Sequence, residues 1–166
     1  MSGKRKEELS CIEQEVRGAN LVLVGLGEEL PGDRKQAFCK GLAWLLETKD
    51  YFLVSLWDGR EELTAAGLLS EQMTFPLAEE EKESWERYLH WLSFTLNQKL
   101  CILELGVGFA YPQIIRFPFE KTCYFNQKAR MIRIHPRVPQ LSEEIAGRGI
   151  SIQADPVLLL AEEDRE

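Results

Sequence analysis

The sequence lacks any long hydrophobic run. No stretch approaches the roughly 20 consecutive apolar residues that a membrane-spanning helix requires. The charged opening segment, residues 1–8 (MSGKRKEE), is not followed by the apolar core of a secretion signal. We therefore expect a cytoplasmic protein that does not associate with a membrane.

The chain lacks the cysteine spacing of the usual metal motifs. Cys11, Cys39, Cys101 and Cys123 include no C-x-x-C pair, which argues against a zinc ribbon. Cys39 lies in a helical pattern and Cys101 in an apolar strand pattern, so both are expected to be buried. A disulfide framework is unusual in an intracellular chain of this size. We predict neither a metal site nor a disulfide.

The rest of the composition is that of one globular domain. The chain has 166 residues, of which 45% are hydrophobic and 28% are charged. A chain of this length buries roughly two thirds of its unfolded surface around one core. We find no repeat and no linker, and we predict a single domain over residues 1–166.

The net charge of −7 is unevenly distributed. Five glutamates lie between residues 79 and 86, whereas residues 113–137 contain six basic side chains and one acidic one, Glu120. The basic segment is either a solvated surface of mixed sign or an edge beside a phosphate-binding crevice. Overall acidity and the absence of a basic-aromatic motif argue against nucleic-acid binding.

Strand and helix patterns alternate along the chain. Strands are predicted at residues 20–24, 51–56, 100–105, 122–125, 130–134 and 149–153. Strands that are apolar throughout and separated by helices indicate a mainly parallel sheet covered on both faces. The predicted fold is therefore α/β, a three-layer, doubly wound and Rossmann-like domain that binds ligands beyond the carboxyl ends of its strands.

Helices are predicted at residues 4–17, after an N-cap at Asp33, at 79–97 and at 155–160. The helix after Asp33 carries three apolar residues on one face: Phe38, Leu42 and Leu45. The helix at 79–97 has a predicted apolar stripe at Trp85, Tyr88, Leu89, Leu92 and Leu96.

Two glycine pairs follow predicted strands. Gly25-Leu26-Gly27 follows the first strand, and Gly106-Val107-Gly108 follows the strand at 100–105, before Pro112 and an apolar segment. A strand, a glycine turn and a helix together bring bare backbone and a helix N-terminus to a phosphate or ribose. Glycine is also needed simply to make a tight turn, so each pair has a structural interpretation as well.

The segment LELGVGFAYPQIIRFPF, residues 103–119, resembles the nucleotide-side loop of the sirtuins, most closely the bacterial sirtuins linked to macrodomains. The resemblance covers nearly the whole chain and is most specific over residues 100–160. It implies a sirtuin-type domain that binds NAD or ADP-ribose. The backbone positions that it assigns to the nucleotide are Gly25, Gly27, Gly106, Val107 and Gly108.

Three further segments carry the resemblance. Asp58-Gly59 matches the end of the sirtuin Thr-x-Asn-x-Asp-Gly strand, which would make Asp58 the catalytic-side carboxylate. His135 occupies the position of the ribose-binding Asn, and Ala154-Asp155 lies in the segment whose backbone caps the adenine. Each also has a structural interpretation: a strand-end turn for Asp58, a surface position for His135, and a helix start at Asp155.

The chain departs from the sirtuin pattern on the catalytic side. Glu28 and Glu29 follow the first glycine pair, where a carboxylate would repel a pyrophosphate. Leu56 replaces the Asn of the second motif, and the general-base His is missing, because His90 falls within the predicted helix at 79–97. The zinc module is absent, since residues 68–77 are too few to form it.

These departures favour a catalytically degenerate sirtuin-like protein, a pseudoenzyme that binds NAD or ADP-ribose. One alternative is an ADP-ribosyltransferase of the macrodomain-linked type that uses Asp58. The other is an NAD-independent scaffold that binds an unknown protein partner.

Overall fold

The computed structural model describes residues 3–28, 30, 33–79 and 81–161. The helices are α1 (Gly3–Arg17), α2 (Lys35–Leu46), α3 (Arg60–Ala65), α4 (Lys82–Ser93), α5 (Arg116–Phe125) and α6 (Pro156–Leu160). The strands are β1 (Leu21–Leu26), β2 (Asp50–Ser55), β3 (Met73–Thr74), β4 (Leu100–Leu105), β5 (Arg130–Ile134) and β6 (Gly149–Ile152). Short 3-10 turns at Ser70–Gln72 and Ala146–Arg148 precede β3 and β6.

The six strands form one parallel sheet in the order β3-β2-β1-β4-β5-β6. Strands β2 and β3 are added on one side of β1, and strands β4 to β6 are added on the other side. The switch point between β1 and β4 is where doubly wound folds have their ligand crevice. Helices cover both faces, and the predicted three-layer, Rossmann-like α/β fold is confirmed.

Alternate strand residues contribute to two separate hydrophobic cores. On one face, Val22 and Val24 pack with residues of α1, α2 and α6. On the other, Leu23 and Ile102 pack with residues of α4 and α5. The period of two follows from the alternation of side chains along a strand. Phe38, Leu42 and Leu45 of α2 lie in the first core, as predicted.

Residues 122–125 are the last turn of α5, so the strand predicted there is wrong. Phe119 and Cys123, four positions apart on α5, are both buried against the sheet. A short apolar run fits a strand or one turn of a buried helix equally well. One strand of the sheet was not predicted. It is β3, a two-residue strand in the segment after Leu68, which shows no sequence pattern.

Two details of the predicted helices are also wrong. Helix α4 buries Ser84 and Tyr88, while Leu89 and Leu96 of the predicted stripe are 48% and 58% exposed. Its buried side includes a polar contact, because Ser84 Oγ lies 2.8 Å from Thr74 Oγ1 of β3. At α2, the N-cap position is taken by Arg34 in the left-handed region (φ 65°), one residue after the predicted Asp33.

Candidate functional site

The turns that follow the strands are joined into one continuous carboxyl edge. Backbone hydrogen bonds extend the sheet ladder past its ends, from Leu56 N to Leu26 O (2.8 Å), Gly27 N to Leu105 O (2.9 Å), Gly106 N to Ile134 O (3.0 Å) and His135 N to Ile152 O (3.1 Å). The structure thus brings the predicted residues Gly27, Gly106 and His135 to the edge at which doubly wound folds bind ligands.

Gly27 and Gly106 pack directly on each other at the switch point between β1 and β4. A Cβ atom on Gly27 would lie 1.9 Å from the carbonyl oxygen of Gly106 and 2.4 Å from the Cα of Val107. Gly106 itself is in the left-handed region (φ 69°), which glycine adopts without steric cost. The contact between the two turns therefore requires glycine at position 27, and the left-handed backbone favours glycine at position 106.

Gly25 and Val107 lie beneath this edge, against α5. A Cβ on Gly25, a residue inside β1, would lie 2.7 Å from Phe119 Cε2 and 2.8 Å from Ile115 Cγ2. The Val107 side chain is buried in the α5-side core. Close packing of helix on sheet accounts for both residues.

Glu28 supplies the central feature of the site. Its Oε1 accepts a hydrogen bond from the backbone N–H of Gly108 (3.0 Å), and its Oε2 accepts one from Ala110 (3.0 Å). Backbone N–H groups that converge on one point favour the binding of an anion there. Of the N–H groups predicted to face a phosphate, that of Gly108 therefore binds a carboxylate of the chain itself, and that of Gly106 donates to the carbonyl oxygen of Ile134. The second donor to Glu28, Ala110, was not predicted. Glu29, the second glutamate of the prediction, lies outside the described residues.

Arg116, the first residue of α5, connects the loop after β4 to the loop after β5. It is buried, and its two terminal nitrogens donate to the carbonyl oxygens of Val107 and Val138, both at 2.8 Å. Its guanidinium carbon lies 4.1 Å from the centre of the Phe109 ring, within cation–π range. Burial and the nearby charge of Arg133 lower the pKa of Arg116, an effect that neighbouring carboxylates, including Glu28, oppose.

A buried ion pair between Arg133 and Glu104 lies beneath the carboxyl edge. Arg133 Nε and Nη2 donate to the two carboxylate oxygens of Glu104 at 2.8 and 3.0 Å, while Nη1 reaches Glu120 and the carbonyl of Gln140. Burial lowers the pKa of Arg133, but the hydrogen bonds and charges of the two carboxylates outweigh it and raise the pKa overall.

Sequence reasoning assigned no role to Glu104 and Arg133. A signal was present, because each is the single charged residue inside an otherwise apolar strand core, and the two face each other in the β4–β5 register. Charged side chains are almost never fully buried unless they are paired.

His135 is fully buried at the end of β5. Its Nδ1 accepts hydrogen bonds from the backbone N–H groups of Arg137 (3.0 Å) and Val138 (3.1 Å). An Nδ1 that accepts carries no proton, which places the ring proton of a neutral imidazole on Nε2. The imidazole thus closes the turn that also receives Arg116, and the predicted contact with a ribose stays a prediction.

The remaining predicted residues lie along the same edge in different settings. Asp58 is exposed just after β2, next to Trp57, whose ring packs edge-to-face on Phe38 at 6.3 Å. Asp155 Oδ1 accepts from Val157 N at 2.9 Å and caps α6, which confirms the predicted helix start. Ala154 packs against the α2-side core.

A cavity of about 460 Å³ opens between the segment after β3 and the loop after β4. Its lining includes Pro76, Trp85, Gln113 and Ile114. It is bounded by Glu81, whose Oε1 accepts from Arg60 Nη2 at 2.7 Å and from the backbone N–H of Phe75 at 3.0 Å. The cavity reaches residues 113 and 114, which follow the loop that Glu28 holds, and its lining includes none of the predicted site residues.

Metal ligation and membrane insertion find no support in the described part of the chain. Among residues 3–28, 30, 33–79 and 81–161, no cluster of three or more His, Cys, Asp or Glu side chains could hold a metal ion. In the same residues, no helix combines the length and apolar character needed to cross a bilayer.

Comparison with known proteins found no matching family model and no matching curated protein.

Proposed function

We propose that the carboxyl edge binds ADP-ribose, alone or as part of NAD, and that the chain does not catalyse its transfer. The observation that carries this proposal is the pair of backbone N–H groups, from Gly108 and Ala110, that converge on one carboxylate. An anionic group already occupies the loop, so its backbone is shaped for one. The sirtuin resemblance of residues 103–119 supports a nucleotide as the external anion.

Glu28 makes this binding competitive. A ligand phosphate reaches the two N–H groups only after the Glu28 carboxylate leaves them. Hydrogen bonds to a charged group are each worth about 1.5–3 kcal/mol net, and every 1.4 kcal/mol is about tenfold in affinity. The chain is therefore expected to bind ADP-ribose weakly until Glu28 is displaced.

The catalytic side supports degeneracy. Leu56, at the position of the sirtuin Asn, is buried and has no polar side-chain atom to orient a ribose. His135 is buried with its Nδ1 engaged by two backbone N–H groups. His90 is exposed on α4, its ring 4.9 Å from that of Phe94. A general base for deacylation is therefore missing from the expected place.

The proposal is tested by calorimetric titration of ADP-ribose into the wild-type chain and two variants. Glu28→Ala frees the two N–H groups and should tighten binding at least about tenfold. Glu47→Ala removes the same charge from the exposed C-cap of α2, at the other end of the sheet, and should leave the affinity unchanged. Absence of binding to Glu28→Ala at millimolar ADP-ribose would overturn the proposal. An equal gain in both variants would assign the effect to net charge.

ADP-ribosyl transfer is the second candidate. Asp58 favours it, because this carboxylate is exposed at the carboxyl end of β2, where the sirtuin pattern places its catalytic-side acid. With labelled NAD and a cell extract as acceptor, transfer by the wild-type chain should disappear in Asp58→Ala and persist in Glu47→Ala. Labelling that Asp58→Ala leaves intact would exclude this role.

A further inference from the structure

A second surface, independent of the carboxyl edge, is an aromatic groove beside α4. The groove has a volume of about 600 Å³ and runs between α4 and the 3-10 turn Ser70–Gln72. We call it the α4 groove and define it by six of its lining residues: Glu71, Glu83, Glu86, His90, Trp91 and Phe94.

Two pairs of rings form its apolar part. Trp91 packs on the buried ring of Phe52 with centroids 5.9 Å apart, and His90 meets Phe94 edge-to-face at 4.9 Å. Trp91 is held in place by a hydrogen bond from its Nε1 to Asp50 Oδ1 (2.9 Å). Phe94 nevertheless leaves 65% of its surface exposed. Such rings present faces of negative potential to whatever covers them.

The charges around these rings are mostly negative. Glu71, Glu83 and Glu86 are exposed carboxylates, and the basic side chain among the lining residues is Arg87. Arg87 is turned to the backbone, since its Nε donates to the carbonyl of Glu71 at 3.3 Å. Aromatic faces flanked by carboxylates attract a cation, and the complementary occupant is therefore basic.

The dimensions favour a protein segment over a small cation. Glu83 and Phe94 lie about 16 Å apart along the helix at 1.5 Å per residue, a span that about five extended residues cover. Leu89 on α4 and Leu96 just beyond its end add exposed apolar surface outside the groove. Exposed apolar side chains beside a groove are typical of sites of protein–protein contact.

We propose that the α4 groove binds a short, extended segment of a partner protein, in which lysine or arginine side chains alternate with apolar ones. The basic side chains pair with Glu83 and Glu86, while the apolar side chains cover Trp91 and Phe94. This inference does not depend on nucleotide binding at the carboxyl edge.

The test uses a fluorescein-labelled, amidated hexapeptide that alternates lysine and leucine, with binding followed by anisotropy. Wild-type protein should bind it, and Glu83→Gln/Glu86→Gln should weaken binding about tenfold. Phe94→Ala should weaken it about fivefold. The matched control is Glu143→Gln/Glu144→Gln, which makes the same change of net charge at exposed positions outside the groove and should shift the dissociation constant less than about twofold. All these positions are exposed, so circular dichroism should report an unchanged fold.

Three results would overturn the proposal. Equal weakening by the control pair would show that the peptide responds to overall charge alone. Equal affinity for a lysine–alanine peptide would show that the rings take no part. Displacement of the peptide by an equal concentration of spermine would make a small organic cation the occupant.

Discussion

At the scale of single residues, the carboxyl edge depends most on Arg133. One guanidinium joins β5 to Glu104 on β4, to Glu120 on α5 and to the carbonyl of Gln140 in the following loop. Arg133 and Glu104 are almost completely buried. A buried ion pair adds little stability by itself, but the loss of one partner leaves an unpaired charge in the core.

Arg133→Met should therefore lower the free energy of unfolding by about 3–5 kcal/mol. The methionine retains much of the apolar volume, so the loss reports mainly the uncompensated Glu104 carboxylate. Urea denaturation followed by circular dichroism measures the change from the shift of the transition midpoint.

Arg130→Met is the matched control on the same strand. Arg130 forms an ion pair with Glu15 at 2.9 Å, but half of its side chain is exposed, and exposed pairs contribute about 0–1 kcal/mol. The further change Glu104→Leu in the Arg133→Met background should recover part of the stability. Losses of similar size at Arg130 and Arg133 would contradict this account.

The charge of Glu28 could be interpreted from the sequence, but its hydrogen-bond partners could not. Its carboxylate, next to a glycine turn, indicates a conflict with an external phosphate, and this stays a prediction. The two N–H groups that it binds belong to residues 80 and 82 positions further along the chain. Local sequence contains no information about that pairing, so its partners could not be predicted.

At the scale of elements, most strands were predicted well, and the errors concern β3 and the last turn of α5. Strands β4 and β5 have the predicted bounds, because a continuous buried run between turn residues has few alternatives. The last turn of α5 was predicted as a strand, because its short apolar run does not show a helical period by itself. The helix is recognised from Phe119 and Cys123, which are buried together on one side of α5. Strand β3 has only two residues, too few to show a hydrophobic periodicity.

The two glycine turns were predicted as elements, but their mutual contact was not. The sequence indicated that each turn needs glycine after a strand. The structure adds that Gly27 leaves room for the backbone of Gly106 and Val107. This packing, rather than open space for a ligand, accounts for the glycine at position 27.

At the scale of the whole molecule, the two layers of helices bury three of the four thiols. Cys39 and Cys101 lie in the core on the α2 side, and Cys123 lies in the core under α5. Burial raises the pKa of both Cys39 and Cys101 to about 12 from an ordinary value of 9.0. The thiolate is the reactive form, so these residues should be inert while the fold is intact.

In native protein at pH 8, a thiol reagent should modify Cys11 fastest, because this thiol is only partly buried, although burial and the nearby Glu15 also raise its pKa. All four thiols should react after denaturation. Mass spectrometry of labelled peptides identifies the sites. Modification of Cys39 or Cys101 at the rate of Cys11 would contradict the packing described.

The raised thiol pKa values also predict how stability depends on pH. Because the pKa values are higher in the folded state, unfolded thiols ionise first, and the free energy of unfolding should fall as the pH rises from about 9 towards 12.

The sequence by itself determined the class of fold, the burial of the strands, the glycine turn after β4, the glycine at position 27 after β1 and the helix start at Asp155. These follow from local rules: the periodicity of apolar residues, the conformational freedom of glycine and the capping of a helix by a carboxylate. Only the tertiary structure decided the pairing of Glu104 with Arg133, the burial of His135 and the occupation of the Gly108 loop by Glu28. Each of these joins segments far apart in the chain, and their proximity depends on the order in which the strands enter the sheet.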